Sequence, residues 1–359
     1  MINLFKVRMS EFAPERVKTV LESGFIGQGS YVDEFEEKLQ KELNTKYKPI
    51  TVNSCTSAIE LALVLCGVDH NSEVITIPTT CFATNSPIIN RQATIKWADI
   101  DPKTSLIDPK SVEKLITNKT KAIIAVNWAG KLCDYTALKK FGIPVIEDAA
   151  HTWDVFSDMS GIERGDYICY SFQAIKYLTT GDGGILVNND FDINEKARLL
   201  RWYGLDRTKG QSFRCVQNIQ LPSGMKWHMN DINASIGIAN IPEAKQSVNQ
   251  QRENSKILIN NIKNKDVIVP EWDETCSYWL FSMHVLNDRK QEFIEYMKAH
   301  DIESGPVHYR NDKYDCTMQF KGDHLPGVEF FDKNQVCIPN GWWLSNTDLE
   351  YIIKVVNNF

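Results

Sequence analysis

The feature that most constrains the fold is an alternation of short apolar runs with helix-like segments between residues 46 and 190. The runs are rich in Ile, Val and Tyr and are bounded by Gly, Pro, Asn or Asp, which is typical of strands. They are Ile50–Val52, Val74–Ile77, Thr94–Ala98, Ala122–Val126, Pro144–Ile146, Tyr167–Ser171 and Gly184–Val187. Strands that alternate with helices predict a mostly parallel sheet covered on both faces. Ligands bind such sheets at the carboxyl ends of the strands.

The segments between and after these runs carry helix signals. Ser57 and Glu60 have the spacing of a capping box, which predicts a helix over the apolar run that follows. Shorter helices are predicted at 108–115 and 134–140. Residues 189–260 read as largely helical, apart from a polar loop from Arg207 to Lys226.

The pattern changes near residue 267, where a strand is predicted at 278–285 and helices at 290–300 and 347–357. A chain of 359 residues has room for two domains at about 150 residues each. We therefore predict a large α/β domain at 1–240 and a small C-terminal α+β domain at 241–359.

Composition and charge exclude several classes of protein. The net charge of −6 argues against broad binding of nucleic acid or anionic membranes, which needs a basic surface. The apolar run 59–68 is interrupted by Glu60 and is shorter than the roughly 20 residues of a membrane span. Nine cysteines without a CxxC spacing predict reduced thiols and no metal site. With no apolar signal core at its N-terminus, the chain is expected to be a cytoplasmic protein.

Two segments after predicted strands carry groups with chemical potential. Asp148 follows a buried strand, where it either caps a helix or pairs with a buried cation and holds a ring nitrogen protonated. Lys176 lies in a turn five residues after Ser171, with three glycines shortly behind it. A lysine there is either a solvated surface charge or, if desolvated, an imine-forming amine.

Two further segments suit a phosphate and a flat ring. Thr56 and Ser57 lie where a helix begins, and the N–H groups and hydroxyls there serve either as ordinary caps or as an anion site. Phe82 follows another strand, as a core residue or as a stacking platform. Together, lysine, carboxylate, anion site and aromatic ring are the components of a pyridoxal 5′-phosphate site.

With these residues the chain resembles the DegT/DnrJ/EryC1/StrS family of sugar aminotransferases, which are fold type I pyridoxal-phosphate enzymes. The resemblance runs from about Gly24 to the C-terminus, and its motifs occur in the family's order. They are Gly24-Phe-Ile-Gly27-Gln-Gly29 with Phe35-Glu36, Ser54-Cys-Thr56-Ser-Ala-Ile, Pro78-Thr-Thr-Cys-Phe82-Ala-Thr, Gly130-Lys-Leu-Cys-Asp134, Glu147-Asp148-Ala-Ala-His151, Ser171-Phe-Gln-Ala-Ile-Lys176 with Thr179-Thr-Gly-Asp-Gly-Gly184, Arg201-Trp-Tyr-Gly204-Leu-Asp206-Arg207 and Asp231-Ile-Asn-Ala.

The resemblance implies a role for each matching residue. Lys176 would form the internal aldimine and shuttle the proton, and Asp148 would hold the pyridine nitrogen protonated. The other cofactor-binding residues would be His151 near the phenolic oxygen, Phe82 stacked on the ring, Gln173 beside the cofactor, and Thr56, Ser57 and Ser171 at the phosphate. The implied reaction transfers an amino group from glutamate to a nucleotide-linked keto-deoxysugar.

Several positions depart from the family pattern. The glycine after Ser54 is Cys55, and the usual His and Tyr before the Gly130 motif are Asn127 and Ala129. The family's GYNYR loop reads Gly224-Met-Lys226-Trp-His228. In relatives the Asn of that loop reaches the phosphate of the neighbouring subunit. We therefore expect a homodimer with shared active sites, in which Lys226 contacts the partner's phosphate.

Two other functions stay open at this stage. The first is a pyridoxal-phosphate sugar dehydratase of the same family, in which a histidine replaces the lysine found here as Lys176. The second is a non-catalytic regulator that retains the fold, which would be marked by loss of the lysine or of the carboxylate.

Overall fold

The strands of the molecule form two sheets. The computed structural model describes residues 1–153, 161–206, 219–222, 224–322 and 324–359. In this part of the chain the strands are β1 (Ile50–Val52), β2 (Glu73–Thr76), β3 (Thr94–Trp97), β4 (Thr120–Val126), β5 (Val145–Asp148), β6 (Tyr167–Ser171), β7 (Gly184–Val187), β8 (Val267–Ile268), β9 (Phe281–Val285) and β10 (Gln335–Ile338). The large sheet has the order β1-β7-β6-β5-β4-β2-β3, and the small sheet has the order β10-β9-β8.

The large sheet is mostly parallel, as the alternating pattern predicts. The pairs β2–β3, β2–β4, β4–β5 and β5–β6 are parallel, and β7 is antiparallel to both of its neighbours. All seven predicted strands are present, with ends that differ from the prediction by at most two residues. The predicted α/β fold class is confirmed.

The helices follow the strands in the expected alternation. They are α1 (Ala13–Ser23), α2 (Ser30–Glu42), α3 (Cys55–Leu65), α4 (Phe82–Asn90), α5 (Pro109–Leu115), α6 (Tyr135–Lys139), α7 (Phe191–Leu200), α8 (Asp231–Asn261), α9 (Lys290–Ala299), α10 (Pro326–Asn334) and α11 (Asn346–Asn358). No helix in the described ranges is long and apolar enough to cross a membrane.

Two predicted boundaries are wrong. The cap of α3 is Ser54, whose hydroxyl accepts a hydrogen bond from the Ser57 N–H, so Ser57 lies inside the first turn and does not cap the helix. The strand predicted from Tyr278 begins at Phe281, because Tyr278 has a φ of 55°, which no strand accommodates. Most of the polar loop predicted from Arg207 to Lys226 lies outside the described residues.

The C-terminal part has its own apolar core, formed by the small sheet together with α9 and α11. Phe281, Met283, Phe293, Ile352 and Val356 are fully or almost fully buried in it. The 31-residue helix α8 runs across the predicted domain boundary at 240/241 and contributes to both cores. The division into domains 1–240 and 241–359 stays a prediction.

A buried ion pair fixes α2 to the edge of the large sheet. Glu36, in α2, accepts hydrogen bonds from Arg201 at 2.5 Å and from Arg198 at 2.7 Å, and also from Thr51 of β1. Burial alone raises the pKa of Glu36, but the two guanidinium groups outweigh burial and lower it to about 2. The Phe35-Glu36 and Arg201 motifs therefore meet each other and hold the N-terminal region in place.

We expect Glu36→Gln to reduce the free energy of unfolding at neutral pH by about 3 kcal/mol, because it leaves the buried Arg201 and the partly buried Arg198 without their counter-charge. Glu36 stabilises the fold above its ordinary pKa of 4.5, and this contribution is lost as the pH falls toward 2. Denaturant unfolding across that range checks both the size and the pH dependence. The exposed neighbour Glu37, paired with Lys48, provides the control Glu37→Gln, which should change stability little. Equal effects of the two substitutions would contradict the account.

Candidate active site

The parallel strands bring the predicted site residues to one edge of the large sheet. β1, β4, β5 and β6 all end at this edge, and β7 starts there. Gly184, the first residue of β7, pairs with Val52 on one side and Ser171 on the other. The segments that follow Val52, Val126, Asp148 and Ser171 therefore lie side by side, as the strand pattern predicts.

Asp148 is a buried carboxylate at the centre of this edge. Its Oδ2 accepts a hydrogen bond from the Thr84 hydroxyl at 2.7 Å, and its Oδ1 accepts one from the Ala150 N–H at 3.0 Å. Burial raises the pKa of Asp148, against the lowering effect of these two hydrogen bonds and of Lys176. No helix begins in the described residues 149–153 that follow it. The helix-cap interpretation of Asp148 is therefore wrong, whereas its role toward a ring nitrogen stays a prediction.

Lys176 is held in a turn and is partly buried. Its backbone N–H donates to the Gln173 carbonyl at 2.9 Å, and its Nζ lies 3.5 Å from the centroid of the Trp279 ring. Burial lowers the pKa of Lys176 from 10.5 to about 8, although the Asp148 carboxylate opposes this shift. The interpretation of Lys176 as a solvated surface charge is wrong, because desolvation brings its amine near the neutral, nucleophilic form.

His151 lies in an aromatic cluster beside Lys176. Its ring stacks on Trp279 at 4.1 Å and faces His308 at 5.8 Å. Burial, with smaller effects of Lys176 and His308, holds the pKa of His151 well below its usual range. The His151 Nδ1 and His308 Nε2 atoms are buried without hydrogen-bond partners in the described structure. The unpaired ring nitrogens of His151 and His308 therefore belong to the same aromatic cluster.

The start of α3 is the part of this edge that suits an anion. The first turn of a helix leaves N–H groups without intrahelical acceptors, and these attract anions. Gly184 allows β7 to pass this turn, because a Cβ there would lie 2.6 Å from the Cys55 nitrogen. Thr56 and Ser57 are in the turn, and Ser171 is the register partner of Gly184. Thr56, Ser57 and Ser171 therefore lie around the position where we expect a phosphate to bind.

Three other predicted residues lie at the periphery. Phe82 is partly buried at the start of α4 and contacts Tyr314 at 5.2 Å. Gln173 is exposed, and its side-chain oxygen accepts a hydrogen bond from the Ile175 N–H. The Lys226 side chain is exposed, while its backbone carbonyl accepts from Asn53 Nδ2 of the same chain at 3.3 Å. The structure shows no mutual contact among these three, and their roles stay predictions.

The structure adds residues that the sequence analysis did not single out, among them Thr84, Trp279 and His308. Thr84 donates to Asp148, and Trp279 lies between Lys176 and His151. Thr84 is detectable as a threonine two residues after Phe82, on a helix that opens at a strand end. Trp279 comes from the C-terminal part of the chain, and nothing in its local sequence marks it.

The arrangement fits pyridoxal 5′-phosphate. It offers a buried acid at Asp148, an amine of lowered pKa at Lys176, a helix N-terminus for the phosphate and unpaired imidazole nitrogens at His151 and His308. Within the described ranges no group of three or more His, Cys, Asp or Glu side chains could hold a metal ion. The chemistry available at this edge is therefore that of an amine, an acid and an anion site.

Comparison with known proteins identifies relatives over nearly the whole chain. A family model described as the DegT/DnrJ/EryC1/StrS aminotransferase family matches residues 8–357. The spore coat polysaccharide biosynthesis protein SpsC of Bacillus subtilis is 33% identical, over 96% of this chain and 93% of that protein.

Two solved structures have the same fold. AtS13 from Actinomadura melliaura is 34% identical and superimposes with a TM-score of 0.92, covering 100% of this chain and 99% of that one. The sugar aminotransferase CalS13 from Micromonospora echinospora is 28% identical with a TM-score of 0.91, covering 100% of both chains. The similarity therefore includes the large sheet and the C-terminal part alike.

We expect Lys176 to react with an amine-specific reagent at a rate that rises with pH and has its midpoint near pH 8. Only the neutral amine reacts, and the pKa of Lys176 is lowered to about 8. Competitive labelling of the apoprotein, followed by mass spectrometry of peptides, gives the titration curve. The exposed Lys18 in α1 is the reference within the same sample. A midpoint for Lys176 near the ordinary 10.5 would contradict the burial argument.

Proposed function

Because the chain belongs to the DegT/DnrJ/EryC1/StrS aminotransferase family, we propose that it is a pyridoxal 5′-phosphate-dependent enzyme that moves an amino group from glutamate to a nucleotide-linked keto-deoxysugar. The observation that carries the proposal is the meeting of Lys176, Asp148 and the N-terminus of α3 at one edge of the sheet. Each of these groups meets a different need of the same reaction.

When bound, the cofactor supplies a conjugated ring that stabilises negative charge on the substrate carbon next to the nitrogen. Asp148 would hold the proton on the ring nitrogen, because its carboxylate is buried and fixed by Thr84 and Ala150. Thr56, Ser57 and Ser171 would bind the phosphate at the start of α3. His151 would orient the phenolic oxygen, and Phe82 and Gln173 would flank the ring.

Lys176 would hold the cofactor covalently in the resting enzyme and then move a proton as a base. Its lowered pKa of about 8 keeps a useful fraction of the amine neutral at the pH of the cell. The indole of Trp279, 3.5 Å from Nζ, shields the amine from water. Binding and proton transfer therefore depend on one side chain whose environment is set by the fold.

Support for a sugar substrate comes from the relatives. CalS13 is named a sugar aminotransferase, and SpsC is named for polysaccharide biosynthesis. The nucleotide on the sugar and glutamate as the donor follow from the family resemblance. The sugar dehydratase is disfavoured because Lys176 stands where those enzymes have histidine, and the non-catalytic regulator because both Lys176 and Asp148 are present.

We propose further that two copies of the chain form a homodimer in the cytoplasm, with shared active sites. Large apolar side chains are exposed before, within and after α1; they are Phe12, Leu21 and Phe25, the last at 83%. Exposed apolar patches of this kind mark association surfaces. The exposed Lys226 lies beside Asn53, close to the anion-binding turn of its own chain. A second copy packed against the region of Asn53 and Lys226 would bring its own Lys226 toward that turn.

We expect the enzyme to convert glutamate and at least one nucleotide-linked ketosugar into 2-oxoglutarate and the corresponding nucleotide-linked amino sugar. Mass spectrometry of a reaction panel identifies the product. Borohydride reduction of the resting enzyme should attach the cofactor to the peptide that contains Lys176. Lys176→Ala should abolish both the attachment and the turnover, whereas Lys18→Ala serves as the matched surface control. Attachment to another lysine would contradict the assignment of Lys176, and failure of the whole panel would contradict the proposed substrate.

We expect mixed dimers of Lys176→Ala and Lys226→Ala subunits to regain activity that neither variant has alone. If Lys226 acts on the partner's phosphate, one of the two sites in a mixed dimer contains both native residues. Subunit exchange followed by an activity assay checks this expectation. Full activity of Lys226→Ala on its own, or an active native monomer in sedimentation, would show that the sites are not shared.

A further inference from the structure

The N-terminal segment (residues 2–8) bridges the two apolar cores of the molecule. Ile2 packs against the core of the C-terminal part, whereas Phe5 packs against the core of the large sheet. The Ile2 N–H donates to the Asp301 carbonyl at 2.7 Å, and the Ile2 carbonyl accepts from the Glu303 N–H at 2.9 Å. These bonds fix the start of the segment to the chain that follows α9. The proposed transamination gives the segment no role.

Two tryptophans hold the middle of the N-terminal segment in place. The Trp343 indole N–H donates to the Asn3 carbonyl at 3.1 Å, and the Trp342 indole N–H donates to the Lys6 carbonyl at 3.2 Å. Phe5 lies between these two anchored residues in the sequence. Its ring is therefore carried by backbone that is fixed on both sides.

Phe5 packs on Trp279, whose ring contacts Lys176. The ring centroids of Phe5 and Trp279 are 5.5 Å apart, and the two planes are inclined by 30°. The Lys176 Nζ lies 3.5 Å from the Trp279 centroid, and His151 stacks on the same indole at 4.1 Å. The indole N–H of Trp279 donates to the carbonyl of Ile175 at 3.3 Å. Trp279 thereby joins the N-terminal segment to the lysine.

Little space is left between the N-terminal segment and the lysine. Phe5, Lys176 and Trp279 line one cavity, which has a volume of about 20 Å³. A cavity of that volume holds about one water molecule. Loss of the Phe5 ring would enlarge the cavity and admit more water beside the Lys176 amine.

The two cations of the N-terminal segment that line this cavity have partners of their own. Arg8 forms an ion pair with Glu243 at 2.6 Å. The Nζ of Lys6 lies over the Trp342 ring, 5.3 Å from its centroid. Phe5 is the apolar side chain that the segment contributes to the cavity. The effect of the segment on Lys176 is therefore expected to come from packing.

The environment of the Lys176 amine is dominated by burial. Burial lowers the pKa of Lys176 to about 8, although nearby acidic groups oppose this shift. The titratable groups that interact electrostatically with Lys176 from the segments around it are Asp148, Cys55, Cys81, His151 and His308. A change in how well the amine is shielded should therefore be visible in its titration.

We propose that Phe5 is a positioning residue of the active site, which holds the Trp279 ring against Lys176 and excludes water from that side of the amine. The proposal rests on the proposed function only for the role given to Lys176. The packing of Phe5 on Trp279 does not depend on the substrate. The N-terminal segment is thus part of the site, although it precedes the large sheet in the sequence.

The test is competitive labelling of Lys176 across pH in the apoprotein, with the exposed Lys18 as the reference in each sample. Phe5→Ala should raise the midpoint of Lys176 by about one pH unit, toward the ordinary 10.5, because added water favours the charged amine. Phe5→Leu refills most of the space with apolar atoms and should restore most of the native midpoint. Val7→Ala is the control, at a 42% exposed position of the same segment that does not line the cavity, and should leave the midpoint unchanged.

Two further variants separate shielding from charge and from loss of the fold. Lys6→Gln removes a cation that lines the cavity but keeps the Phe5 ring, and should leave the midpoint of Lys176 unchanged. Trp342→Phe removes the indole donor to the Lys6 carbonyl and should raise the midpoint by less than Phe5→Ala does. It decides the question if circular dichroism shows that Phe5→Ala is not folded.

Two results would overturn the proposal. The first is a native midpoint in folded Phe5→Ala, even if denaturant unfolding shows reduced stability, because Phe5 would then support only the fold. The second is a rise in Lys6→Gln as large as that in Phe5→Ala, because charge would then account for the shift. The labelling needs neither cofactor nor substrate, so failure of the ketosugar panel would affect only the proposed function.

Discussion

The site depends on one buried carboxylate at the end of a parallel strand. Asp148 is almost fully buried, yet it is held in a fixed orientation by the Thr84 hydroxyl and the Ala150 N–H. A buried negative charge is unfavourable unless a cation lies beside it. The fold therefore favours binding of a positively charged group next to Asp148. Lys176 supplies part of that charge in the structure described here, since each group shifts the pKa of the other toward its charged form. A protonated ring nitrogen would supply the rest.

The remainder of the sheet edge is arranged around that carboxylate. Gly184 lets β7 pass within contact distance of the first turn of α3, which brings the anion-binding end next to Ser171. The ion pair of Glu36 with Arg198 and Arg201 joins α2 to β1. It thereby fixes the position of β1, which ends at the same edge. Trp279, in the C-terminal part of the chain, packs against the amine of Lys176. The acid, the amine and the anion site are thus positioned by three separate segments of sequence.

Much of this arrangement could be predicted from sequence because it is local. Strand runs such as Tyr167–Ser171 and Gly184–Val187 are bounded by residues that end strands, and in a parallel sheet their ends must meet. The contacts that could not be predicted are long-range: Trp279 is 103 positions after Lys176, and its packing depends on how the small sheet sits against the large one. The cap at Ser54 was not predicted, because Ser54 and Ser57 have equally good capping side chains. The position at which β1 ends decides which of the two serines precedes the helix.

The measurement that tests the central claim most directly is nitrogen NMR of the bound cofactor, labelled with ¹⁵N in its ring. If Asp148 holds the proton, the ring nitrogen of the native enzyme is protonated throughout the neutral pH range. In Asp148→Asn, which keeps the shape but removes the charge, it should lose that proton while the phosphate end stays bound. An unprotonated nitrogen in the native enzyme, or the same protonation in both proteins, would contradict the account.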